Sequence, residues 1–156
     1  MGETGDWESP VKIGCCQIEP QVGHKEENVE KTLRFAGEAA GQGADLIVLP
    51  ELANTGYVFN TRGEAYRLSE EVPGGETTRL WEEFAKEHRV YLAAGIAERE
   101  GGRLYNSSVL IGPKGYIGKY RKLHLWNREK LFFEPGGPRP AGVPHARGPA
   151  GDVRLL

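Results

Sequence analysis

Cysteine is nearly missing from this sequence: two occur among 156 residues, Cys15 and Cys16, and they are neighbours. Adjacent cysteines make a poor disulfide, and two thiols do not complete a tetrahedral metal site. Both fall in the apolar run 11–18, where each is expected to be a small buried residue on a strand. Long hydrophobic runs are missing too. None approaches the roughly 20 residues of a membrane-spanning helix. The N-terminus, Met1 to Trp7, is acidic and polar, unlike a signal peptide. Asp6 stands where a myristoylation motif places Ser or Thr. With no address signal, the expected location is the cytoplasm. Neither sign of charge dominates: the net charge is −2, and the isoelectric point is near 6.1. That removes any electrostatic reason to expect nucleic acid or an anionic membrane as partner. The length allows one domain at most.

What is present has α/β order. Residues 11–18 read as a strand ended by Pro20. Asn28 to Gly41 reads as an amphipathic helix with Val29, Leu33, Ala36 and Ala40 on one face, stopped by Gly41 and Gly43. Residues 45–49 read as a second strand. The resulting β-α-β unit predicts parallel strands with a right-handed crossover. Further along come a short helix over 64–69, a turn at Pro73-Gly74-Gly75, and a helix capped by Thr77 or Thr78 and running to about Glu87. Its buried face carries Leu80, Trp81, Phe84 and Ala85. Strands follow over 90–96, 104–111 and 116–120, joined by turns at Gly101-Gly102 and Pro113-Lys114-Gly115.

Two places carry candidate chemistry. Glu51 follows Pro50 at the carboxyl end of the second strand, the end at which active sites collect in α/β folds. An acid at the rim of an apolar sheet is a candidate general base, although the same position suits a loop glutamate in water. The second place is Tyr120-Arg121-Lys122-Leu123-His124-Leu125, which also follows a strand directly. Lys122 held near a glutamate would stabilise an oxyanion; alone, the stretch reads as a solvated edge protected by lysine.

The two places belong to a series. Leu49-Pro50-Glu51-Leu52, Tyr105-Asn106-Ser107, Tyr120 to Leu125 and Glu129-x-x-x-Phe133-x-Pro135-Gly136 occur in this order. With the opening β-α-β unit, residues 11–136 resemble the nitrilase, or carbon–nitrogen hydrolase, superfamily. The resemblance implies a four-layer α-β-β-α sandwich, present here in part, and a Glu-Lys-Cys set that hydrolyses small amides, carbamoyl-amines or nitriles. It makes Glu51 the general base and Lys122 the oxyanion-stabilising cation. Glu129 becomes a second glutamate that positions substrate and lysine, and Tyr57 a pocket-lining residue. Asn106 is expected to satisfy backbone groups, and His124 to be structural support. Neither a metal nor an organic cofactor is implied, and the partners are the small substrate and, in the full-length form, further copies of the chain.

The resemblance also exposes a gap. The family's nucleophilic cysteine lies tens of residues beyond the lysine motif, and no cysteine follows Cys16. Three segments are therefore expected: an N-terminal tail over 1–10, the N-terminal part of a hydrolase domain over 11–136, and a tail over 137–156. Pro, Gly, Ala and Arg dominate that tail, so it reads as disordered. Codons for Gly136 to Ala150, read one nucleotide later, can encode a family-like continuation, which makes out-of-frame translation the expectation. The chain itself is expected to be inactive; the alternative is a non-catalytic truncated subunit that associates with full-length homologues.

Overall fold

The computed structural model describes residues 10–137. The expectations for the two tails fall almost wholly outside that range. Within it, the elements in chain order are β1 (Ile13–Cys15), α1 (Lys25–Gly41), β2 (Leu46–Val48), α2 (Arg62–Leu68), α3 (Glu76–His88), β3 (Tyr91–Glu100), β4 (Arg103–Gly112), β5 (Gly115–Arg121) and a 3₁₀ helix (Asn127–Leu131). Among the described residues the strands form one sheet in the order β1-β2-β3-β4-β5. β1, β2 and β3 run parallel, as the β-α-β unit requires, and β4 and β5 add antiparallel.

Register and alternation divide the side chains between two faces. On one face, Ile47, Leu92, Ala94, Ile96, Val109 and Ile111 pack against Ala36 of α1 and Trp81, Phe84 and Ala85 of α3 in the main core. The buried Trp81 indole N–H donates to the Thr32 hydroxyl at 2.9 Å, tying α3 to α1. On the other face, a second cluster covers only the end of the sheet. It comprises Leu52, Phe59, Ala65, Ala97, Leu104, Phe132 and Phe133. The remainder of that face, including Ile13, Cys15, Tyr91, Leu110, Ile117 and Tyr120, is exposed. The described residues thus supply a helix layer and one sheet of the implied sandwich.

Three local expectations need correction. Cys15 is exposed and Cys16 half-buried, because β1 is an edge strand and Cys15 points to the uncovered face. Neither threonine caps α3: its N-cap is Gly75. The buried Glu70 carboxylate instead accepts the Thr77 N–H at 2.9 Å and the Thr77 hydroxyl at 3.0 Å. A carboxylate there also complements the positive end of the helix. Finally, α1 begins at Lys25, earlier than its apolar pattern. The buried Asn28 amide exchanges hydrogen bonds with the backbone N–H and C=O of Gln21, so a polar residue fixes that first turn.

Candidate active site

Glu51 reaches its place because Gly95 leaves room for it. After β2 the chain turns across β3: the Gly95 N–H donates to the Pro50 C=O at 3.1 Å, and the Ala53 N–H donates to the Gly95 C=O at 2.9 Å. A Cβ on Gly95 would lie 2.5 Å from the Glu51 Cα and 2.6 Å from the Leu52 N and the Pro50 O. The turn is tight enough to hold Leu52, fully buried, at φ +47°, a left-handed conformation that is strained for a branched side chain. The Glu51 carboxylate thereby stands over the uncovered sheet face with a side-chain exposure of 44%. It is less buried than its position at an apolar sheet rim suggested.

Lys122 comes from the edge strand on the other side of β3 and β4. It follows β5, and its N–H continues the ladder by donating to the Asn106 C=O at 2.8 Å. The Gly136 N–H donates to the Lys122 C=O at 2.9 Å, and a Cβ on Gly136 would lie 2.3 Å from the Arg121 O. That contact explains the Pro-Gly of the last motif: only glycine fits against the strand there. Alternation points Lys122 to the same face as Glu51, and its Nζ donates to the Glu51 Oε1 at 2.8 Å and to the Glu129 Oε1 at 3.1 Å.

Glu129 is buried in the 3₁₀ helix. Its segment is held by Phe132 and Phe133, which meet Phe59 edge-on at centroid distances of 5.7 and 5.9 Å. The backbone N–H of Trp126 donates to its Oε2. Asn106 corrects its expectation: its side-chain amide donates to the Glu51 Oε1 at 2.6 Å and to the Glu129 Oε1 at 2.7 Å. One amide thus links both carboxylates, and strand alternation was the signal that could have placed it. Tyr57, in the loop after Glu51, stands 39% exposed beside the same group. His124 is on the surface.

The electrostatics follow from this clustering. Burial acts to raise the Glu129 carboxyl, but the Trp126 N–H, the Lys122 ammonium and the Asn106 amide outweigh it and hold the group below the ordinary carboxylate range. Burial likewise acts to lower the Lys122 ammonium, yet its bonds to Glu51 and Glu129 leave it above the ordinary lysine value. Burial, then the charges of Glu129 and Glu51, push the Tyr57 phenol up to about 12. These shifts keep Glu129 as a carboxylate against the Lys122 ammonium, with a neutral phenol at the edge of the site. Cys15 shares this face but lies two strands from β3, about 10 Å of lateral spacing. Burial, then Cys15 and Glu38, push the Cys16 thiol up, away from reactive thiolate. No group of three His, Cys, Asp or Glu side chains among the described residues is placed to hold a metal ion.

A sheet with α1 and α3 on one face and, on the other, a Glu-Lys-Glu cluster at the strand ends defines the class. Residues 12–151 match the carbon-nitrogen hydrolase family model, and the chain belongs to that family. Among individual proteins, it is 49% identical over 126 residues to a nitrilase from Pyrococcus abyssi, covering 81% of this chain and 48% of that protein. It is 41% identical over 117 residues to an omega-amidase (NIT2) from Homo sapiens, covering 70% of this chain and 40% of that protein. The chain spans less than half the length of these curated relatives. Among solved structures, an N-terminal amidase superposes with a TM-score of 0.73 at 26% identity, over 81% of this chain and 31% of that one. An amidase from Nesterenkonia sp. shares the fold, with a TM-score of 0.67 at 20% identity over 82% of this chain and 49% of that one. The nitrilase-type fold is thus established, and the described helices are too short and too polar to cross a membrane.

Proposed function

We propose that this chain carries the base and the oxyanion-binding half of a carbon–nitrogen hydrolase site acting on a small amide, carbamoyl-amine or nitrile. The observation that supports it is Lys122, whose ammonium touches Glu51 and Glu129 together. In this reading Glu51 takes the proton of an attacking thiol, and a carbon–sulfur bond forms at the substrate carbon. Lys122 stabilises the oxygen anion that develops on an amide. Glu51 returns the proton to the leaving amine, and water then hydrolyses the thioester. Glu129 holds Lys122 in position, and Tyr57 lines the entrance.

The thiol is what the chain does not bring to this site, since Cys15 ends β1, at one edge of the sheet, and Cys16 follows it directly. The 156-residue chain alone is therefore expected to be inactive. The purified chain, assayed for ammonia release against small amides, carbamoyl-amines and nitriles, should give no signal above buffer. Ammonia release that disappears in a Cys15→Ser/Cys16→Ser variant would refute the assignment of an absent nucleophile.

A second reading, association with full-length homologues as a non-catalytic subunit, is favoured by the uncovered face bearing Ile13, Tyr91, Leu110, Ile117 and Tyr120. A contiguous apolar surface of this kind marks a contact site or an aggregation hazard, so the isolated chain should also be marginally stable. Co-purification of the chain with a full-length homologue, altering that enzyme's ammonia release, would support it. For the tail over 137–156 we retain out-of-frame translation as the proposal. Sequencing the coding DNA across codon 136 tests it.

A further inference from the structure

Behind the site, on the helix-covered face of the sheet, lies a buried charge cluster with no part in the chemistry above. Glu98 of β3 has no exposed surface. Its Oε2 accepts from the Ser107 hydroxyl at 2.5 Å and from the Arg121 Nε at 3.0 Å. Its Oε1 accepts from the Arg121 Nη2 and from the Lys119 Nζ. Arg121 also pairs with Glu100 at 2.9 Å and lies 3.8 Å over the Tyr105 ring. Every group in the cluster except Glu98, Glu100 and Lys119 is a chain neighbour of a site residue. Arg121 precedes Lys122, and Tyr105 and Ser107 flank Asn106. The cluster and the site are thus two faces of the same residues on β4 and β5.

We propose that the Arg121–Glu98 pair is a positioning device for the site: the guanidinium, locked in a fork on a buried carboxylate and stacked on Tyr105, fixes the end of β5 so that Lys122 and Asn106 meet Glu51 and Glu129 on the opposite face. Buried ion pairs add little net stability compared with apolar packing, so specification of geometry is the better account of three charges placed there. A one-residue slip of β5 would turn Lys122 to the helix face and Arg121 to the site; Glu98 accepts the fork of an arginine in only one of those registers. Lysine cannot reproduce that fork. Lys119 serves as an internal comparison. It also binds Glu98, but it anchors to the Val72 C=O at 3.0 Å and sits three residues from Lys122.

The proposal rests on the reading of Lys122 as the site's cation, yet it needs no turnover to be tested. The readout is the ¹⁵N-detected ammonium signal of Lys122 in the intact chain and the rate at which its protons exchange with water. Glu51→Gln in the wild-type background must perturb that signal; if it does not, the site reading fails and the positioning proposal with it. With that established, Arg121→Lys is expected to keep the fold, judged by far-ultraviolet circular dichroism, while Lys122 protons exchange about tenfold faster, the change that accompanies loss of one net hydrogen bond. Lys119→Met is expected to lower stability and leave Lys122 exchange unchanged. Should Arg121→Lys fail to fold, Glu98→Gln carries the same expectation for Lys122. Unaltered Lys122 exchange in the folded Arg121 or Glu98 variant, or equal acceleration in Lys119→Met, would overturn the proposal.

Discussion

Gly95→Ala is the smallest change that should dislodge the site without touching a charged group. The added Cβ would meet three backbone atoms, the nearest at 2.5 Å, whereas carbon atoms settle at about 3.5–4.0 Å. Backbone cannot rotate away as a flexible side chain can, so the Pro50–Leu52 turn must withdraw by about 1 Å. Overpacking of this kind costs about 1–3 kcal/mol. The withdrawal also lengthens the two hydrogen bonds between Gly95 and the turn, each worth about 1 kcal/mol. The combined loss is about 3–5 kcal/mol, a large part of the stability of an ordinary domain. Gly118→Ala in β5 is the matched control: a Cβ there meets nothing within 4 Å. Relief of glycine's entropy in a strand should stabilise by about 0.5–1 kcal/mol. Urea unfolding followed by tryptophan fluorescence measures both. If Gly95→Ala unfolds at the same urea concentration as Gly118→Ala, then the turn does not lie on β3, and the placement of Glu51 is wrong.

Two further outcomes follow from buried polar groups. Thr32→Val leaves the Trp81 indole N–H without its partner, and should lower unfolding free energy by about 1–3 kcal/mol; a change below the error of a denaturation curve would contradict the α1–α3 link. Acid stability should depend on Glu98, whose carboxyl is held below 4.5 by Arg121, Lys119 and Ser107 against the opposing effect of burial. A depressed carboxyl contributes stability that is full above its unfolded value and lost as pH falls through its folded value. The stability gap between wild type and Glu98→Gln should therefore be constant near neutrality and narrow below about pH 4.5; a gap unchanged down to the acid transition would refute the assignment.

The strand and helix order could be read from the sequence because apolar periodicity and Gly-Pro punctuation record the core directly. The ends could not. β1 is only Ile13–Cys15 because an edge strand has a single partner, and β3 runs on to Glu100 because other groups continue its edge beyond β2. Those groups are the Pro50 C=O, the Asn54 side chain and the Glu70 backbone, all brought from loops. Legible in the sequence were residues that carry chemistry in a known order: Glu51, Lys122 and Glu129 lie in contact, with Tyr57, from outside the motifs, beside them. Asn106 was misjudged because its motif gives no face, and Gly95 was passed over because a glycine inside a strand carries no mark of what crosses it. The cluster under Glu98 was equally hidden, since Arg121 reads as surface charge until β3 and β4 lie beside it.

Zero-length crosslinking tests the convergence of Glu51, Glu129 and Lys122 most directly. A carbodiimide joins a carboxylate to an amine only where the two are in contact, here 2.8 Å for Glu51 and 3.0 Å for Glu129. Mass spectrometry of the treated folded chain should find Lys122 joined to Glu51 or Glu129, and the link should vanish when the chain is unfolded before treatment. Lys122 joined instead to carboxylates of the helix-covered face, such as Glu98 or Glu100, would place the lysine on the wrong side of the sheet and contradict the site.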